Sequence, residues 1–181
     1  DKFKLGEDKR EARILTANLP GSRWYPLSAW PTVDPKDLAW IARRVLVALD
    51  LTHRQGYLHG SPHLNAMLVE PHQHGVMLKD WQYAVRFNDP LTLIDGAAKD
   101  AYPSNAKEPG ATADGTIDLH VAGHAFLKLA LSGGAPDWMV EYFRMLSKHP
   151  PKSAVIALEK ITQVIDKHWP RKFHVMEAPP A

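Results

Sequence analysis

The sequence predicts an α+β domain, mainly helical, with one small β-hairpin beside its longest helix. Three observations predict it. Four segments carry helical apolar spacing or helix start and stop signals, two short β-leaning runs flank a turn, and 181 residues suit one domain with one core. Hydrophobic residues make up 45% of the chain and charged ones 23%, so neither disorder nor a fibrous architecture is expected.

Several function classes drop out early. A net charge of +2 with histidine neutral is too small to point to a nucleic-acid or membrane partner. No apolar run approaches the roughly 20 residues that cross a bilayer. Without cysteine there is no disulfide scaffold, thiolate metal site or thiol nucleophile, which fits a cytoplasmic protein. The start, "DKFKLGEDKREAR", alternates charge and has neither the apolar core of a signal peptide nor an initiator Met. A processed or cut-down piece of a longer protein is therefore expected.

Residues 1–33 read as a hinge-like connector with short strands, because "ARILTANLPGSRWYPLSAW" breaks two β-leaning runs with Pro-Gly. The clearest helix follows. Asp34 suits its cap, Pro35 its first turn and Gly56 its stop, while Leu38, Ile41, Ala42, Val45, Leu46 and Leu49 recur on one face. "YLHGSPHLN" reads as a loop, and "AMLVE" and "VMLKDW" as strands joined by "PHQHG". Residues 86–115 are rich in Pro, Gly, Asp and Asn and predict a long loop, either functional or mobile. Three helices then follow in "GTIDLHVAGHAFLKLALSGG", "PDWMVEYFRMLSKHPP" and "SAVIALEKITQVIDKHW", and residues 170–181 form an irregular tail. Trp40, Trp81 and Trp138 lie within apolar patterns and are expected in the core; Trp24, Trp30 and Trp169 are candidates for exposure.

Polar residues concentrate in "LHGSPHLNAMLVEPHQHGVMLKDW", where His59, Asn65 and Asp80 are spaced along a loop and a hairpin. In order and spacing, "ALDLTHRQGYLHGSPHLNAMLV", "GVMLKDW" and "TIDLHVAG" resemble the catalytic loop, the D-F-G strand and a later helix of the protein-kinase C-terminal lobe. Asp-Trp for Asp-Phe, "AWIARRVLVAL" and the "WPRKF" tail look like bacterial and phage degenerate kinase-like domains, some attached to J-domain proteins. The resemblance implies a kinase-like C-lobe over residues 34–169, with a small hairpin and no complete N-lobe.

What the resemblance implies for chemistry turns on the departures. In active members the loop Asp takes or orients the substrate hydroxyl proton, and a later Asn and the D-F-G Asp hold magnesium on the nucleotide. His59 and Asn65 match the loop's His and Asn, but Ser61 stands at the place of the catalytic Asp, and the loop is one residue short. Serine carries no charge at neutral pH and cannot serve as that base. Gln82 replaces the glycine after Asp80-Trp81, and before residue 34 there is neither a glycine-rich loop nor a recognisable strand Lys. Asn65 and Asp80 then read as vestigial Mg-ATP positions, with Asp80 otherwise an ordinary strand-end carboxylate.

His59 is a catalytic candidate or, preferably, a structural histidine packing the loop on the hairpin. His63 is the one substitute base within reach of the missing acid, or else a solvated loop residue. Asp118, in the first turn of its helix, favours the helix dipole in any fold; the resemblance has it accept backbone N–H groups of residues 59–61. His120 and His124 have a zinc-compatible spacing but no third ligand, so no metal site is expected. The sequence therefore predicts a catalytically inactive kinase-like (pseudokinase) module working through a protein partner or self-association, with no cofactor of its own. Two alternatives stay open: part of a larger phosphotransferase using ATP and magnesium, and a purely structural domain of an assembly. The 86–115 loop and apolar residues near 24–30 and 81–87 are the candidate interaction surfaces.

Overall fold

The computed structural model describes residues 2–5, 10–13, 23–91, 93–169 and 175–180. Strands β1 (Lys2–Leu5) and β2 (Arg10–Arg13) pair antiparallel, Lys2 opposite Arg13. The "NLPGSR" stretch falls almost wholly outside the described residues, as does the start of the tail at 170–174. Strand β3 (Tyr25–Pro26) then leads through a short 3-10 turn into helix α1 (Pro35–Arg54).

Helix α1 forms where its end signals stand. The Asp34 carboxylate accepts from Lys36 N–H at 2.8 Å, and Gly56 ends the helix at φ +79°, a conformation that favours glycine. All six apolar residues of its predicted face are fully buried. Each buried Leu or Ile side chain there contributes roughly 1.5–3 kcal/mol relative to exposure. The chain next makes β4 (Tyr57–Leu58), crosses the 59–66 loop, and folds β5 (Met67–Glu70) and β6 (Gly75–Leu78) into a hairpin. β5 is the centre of a three-stranded antiparallel sheet ordered β3-β5-β6, and β7 (Val85–Arg86) returns to pair with β4. At the hairpin turn, His74 stacks on Trp40 of α1 at 4.2 Å between ring centroids, which ties the hairpin to the helix.

Helices α2 (Gly115–Ser132), α3 (Asp137–Lys148) and α4 (Ala154–His168) complete the domain, close to the expected bounds. α2 runs through the interior, with ten buried residues including Phe126, which meets Phe143 of α3 at 5.3 Å. Gly123 lets α3 come close: a Cβ there would lie 2.6 Å from Ser147 N. The arrangement is α+β and mainly helical, as the sequence predicts.

Three expectations need correction. Residues 86–115 are not a long unstructured loop. They hold two 3-10 stretches, Gly96–Ala101 and Ser104–Lys107, and a Pro90–Thr112 bridge, packed by Ala98, Tyr102, Ala106 and Ala113 onto Leu58, Ile117 and Val121. Trp30 is buried at 7% exposure, because Tyr25 meets it edge-on and the tail covers it: its indole N–H donates to Glu177 O at 3.1 Å beside buried Met176. The 24–30 surface is thus largely covered by this chain itself. Trp81, expected in the core, is 47% exposed; its N–H donates to Leu78 O and its ring edge meets His59 at 4.5 Å.

Candidate functional site

The polar cluster forms where the 59–66 loop passes between the first turn of α2, the end of β6 and the segment after residue 93. Asp118, fully buried, is its anchor. Its Oδ2 accepts from His59 N–H and its Oδ1 from Gly60 N–H, each at 2.8 Å, and Oδ2 also meets His53 Nε2 at 2.9 Å. One carboxylate so joins the end of α1, the loop and α2. Hydrogen bonds to an ionised acceptor are worth about 1.5–3 kcal/mol each, more than neutral ones.

His59 is buried and its tautomer is set by its neighbours. Nε2–H donates to Lys79 O at 2.8 Å, and Nδ1 accepts from Ser61 N–H at 3.3 Å. Burial is the largest influence on the ring and lowers its pKa, against the opposing pull of Asp118 and the Lys79 carbonyl. A neutral imidazole with both nitrogens engaged holds the loop to the hairpin and has no lone pair left for substrate. Gly60 is required by space as well as by its φ of +93°: a Cβ would sit 2.2 Å from Tyr83 O. The adjacent Gly60 carbonyl accepts from the Tyr102 hydroxyl, which burial keeps protonated by raising its pKa.

The unexpected participant is Asp95. Ser61, fully buried, donates Oγ–H to Asp95 Oδ2 at 2.7 Å, and His63 Nε2 meets the same oxygen at 2.9 Å. Asp95 Oδ1 accepts from Ala97 N–H at 2.9 Å, capping the 3-10 stretch that follows. Burial works against this charge, yet Ser61, Ala97 N–H and His63 together hold the carboxyl below its ordinary range. His63 Nδ1 accepts from Ala66 N–H at 3.1 Å, so both ring nitrogens are engaged, and the expected substitute base has no free nitrogen. Local sequence offered one signal for Asp95, its cap position before Gly96. Nothing local shows that it reaches back 34 residues to Ser61.

The remaining predicted residues lie apart from this knot. Asn65 is exposed and its Oδ1 accepts from Ser28 Oγ–H; Asp80 holds a left-handed conformation at φ 67° and pairs with Lys79 Nζ at 3.2 Å. No hydrogen bond joins Asn65 to Asp80 among the described residues, and each already has its own partner. Magnesium takes one or two carboxylates together with substrate phosphates, and Asp80 is the one carboxylate of the predicted pair. Among the described residues no three His, Cys, Asp or Glu side chains gather as metal ligands; His120 instead meets Ser147 O at 2.9 Å. No helix in the described residues is long and apolar enough to cross a membrane.

Beside the knot lies an open cleft of about 290 Å³. The loop residues His63 and Asn65 form one wall, Ala97 and Asp100 a second, and His124 and Lys128 of α2 the third.

No family model matches the sequence, and no curated protein does. Solved structures do. The structure of vaccinia related kinase 3 superposes with a TM-score of 0.60 at 14% identity, covering 81% of this chain and 60% of that one. The chain has a protein-kinase-like fold. It spans about three fifths of that kinase's length, and at this identity the likeness is one of fold.

Proposed function

We propose that this chain is a pseudokinase module that acts in the cytoplasm as a protein-interaction or scaffold part, without phosphotransfer of its own. One observation carries the reading. At the place where the kinase resemblance puts the catalytic base stands Ser61, fully buried, with its hydroxyl committed to Asp95 at 2.7 Å. A general base must reach the proton it removes and hold a free lone pair for it. Ser61 has no charge, and His59 and His63 have both nitrogens occupied. The resemblance to degenerate bacterial and phage kinase-like domains supports the same reading.

A second reading keeps one observation on its side. Asp95 returns a carboxylate to the loop that lacks one, and in a larger phosphotransferase it would act on a nucleotide held by a lobe outside this chain. The two readings separate in a thermal melt with ATP and Mg²⁺ or Mn²⁺. The pseudokinase reading predicts no change in Tm, with Asp80→Ala melting alike with and without nucleotide. A rise in Tm that Asp80→Ala removes favours the phosphotransferase.

A further inference from the structure

The tail over Trp30 has features that the proposed function does not use. Residues 175–180 run without helix or strand, and among the described residues no backbone–backbone hydrogen bond ties them to the body. Met176 is the one buried residue of the six, 2% exposed and part of the main core, while its neighbours Val175 and Glu177 face solvent. One residue on, the Glu177 carbonyl accepts from the Trp30 indole N–H at 3.1 Å. Pro179 and Pro180 have no N–H, so the end of the segment offers no donor to a strand edge.

Beneath the tail lies an aromatic pair. Trp30 is 7% exposed with the tail in place, and Tyr25 meets it edge-on at 5.8 Å between ring centroids. Trp and Tyr are the side chains that most often carry the energy of protein interfaces. A Met side chain, unbranched and polarisable, fills such aromatic sites without demanding one shape. The tail so resembles a ligand joined to its own receptor: one apolar anchor, extended flanks, and a carbonyl placed for a single donor. A cover held by so few contacts belongs to the low-stability end of a fold, where a segment opens without unfolding the rest.

We propose that the tail is a displaceable cover, and that the Trp30–Tyr25 surface beneath it docks an extended segment of a partner protein. That segment has the tail's own chemistry: a Met-sized apolar side chain and, one residue later, a backbone carbonyl for the Trp30 N–H. What the structure already seats on the surface defines the occupant. The inference rests on the protein-interaction reading and names where, and by what chemistry, the partner binds. Phosphotransfer by the chain would sink that reading without touching the result below, since neither ATP nor the 59–66 loop takes part in it.

The test uses a labelled peptide, FHVMEAPPA, with the sequence of residues 173–181, and a counterpart with Ala in place of its Met. By fluorescence anisotropy the Met peptide should bind Met176→Ala at least about tenfold more tightly than the native chain, because the weakened tail no longer holds the site closed. Met176→Leu keeps the volume and should behave as the native chain does, and the Ala peptide should bind neither. The full chain with Met176 in place gives a second reading. It has no cysteine, so Val175→Cys, at a 57% exposed position, carries a single nitroxide label. Met peptide at about 5 mM, above the roughly millimolar effective concentration of a segment in the same chain, should release the tail and sharpen the spectrum. This reading holds even where Met176→Ala fails to fold. Equal affinity for the native and Met176→Ala chains, an Ala peptide that binds as tightly as the Met peptide, or an unchanged nitroxide spectrum overturns the proposal. So does a dimer of the native chain that Met176→Ala loses, which would seat a second copy's tail on the surface instead.

Discussion

At the scale of single residues, the identity of position 61 decides the chemistry of the loop, and the structure turns that into a measurable consequence. Ser61→Asp places a second carboxylate against Asp95, and two such groups in one buried site cannot both stay ionised. The variant should lose roughly 1–3 kcal/mol at pH 7, the scale of one to two pKa units of mutual repulsion. Adding Asp95→Asn should recover much of it, as urea denaturation of the three proteins will read. An unchanged midpoint in Ser61→Asp contradicts the geometry. Acid should act on this cluster in two windows. His59 is held below its ordinary 6.5, so the unfolded chain takes up that proton first, and stability is full above 6.5 and declines as pH falls from there. Asp95 is held below 3.8, so its contribution is present above 3.8 and is lost as pH falls through its folded value. Chemical denaturation at pH 7, 5 and 3 should show both losses, and His59→Gln should flatten the first. Ser61, His59 and Asp118 were legible as a set because a spacing pattern carried them. Asp95 was not, because its partners lie 32 to 34 residues away and its neighbours read only as a turn.

Elements were legible where one signal dominated. α1 has a cap, a first-turn proline, an apolar face and a stop glycine, and all of them act as the sequence suggests. The segment after residue 86 was not legible, although Ile94, Ala98, Tyr102 and Ala106 recur every four residues. Two of those four are alanines, a weak apolar signal, and Pro103 interrupts the run, so composition outweighed periodicity. Trp30 and Trp81 exchanged their expected places for a similar reason. Burial of Trp30 depends on a tail some 147 residues away, whereas Trp81 sits where the chain turns outward after β6. The crossing of α2 and α3 offers the sharpest test at this scale. Gly123→Ala puts a methyl group 2.6 Å from Ser147 N, on backbone that has no flexible side chain to yield. Thermal or urea unfolding should show a loss of about 1–3 kcal/mol, the cost of an overpacked core. An unchanged stability would mean that the helices separate freely.

For the whole molecule, the order of elements and the kinase-like fold could be read from the sequence, and the likeness to a solved kinase structure at 14% identity is one of fold. Function was legible only through the resemblance, which implies an acid at the position where Ser61 stands. The structure adds what fills that place: a buried serine, a carboxylate from the following segment and a histidine with no free nitrogen. The most direct measurement incubates the protein with ATP labelled in the γ-phosphate, with Mg²⁺ and with Mn²⁺, alone and with a generic acceptor protein. The account predicts label no higher than in the Asp95→Asn variant. Label transferred by the native chain and abolished by Asp95→Asn would contradict it and make Asp95 the base that Ser61 is not.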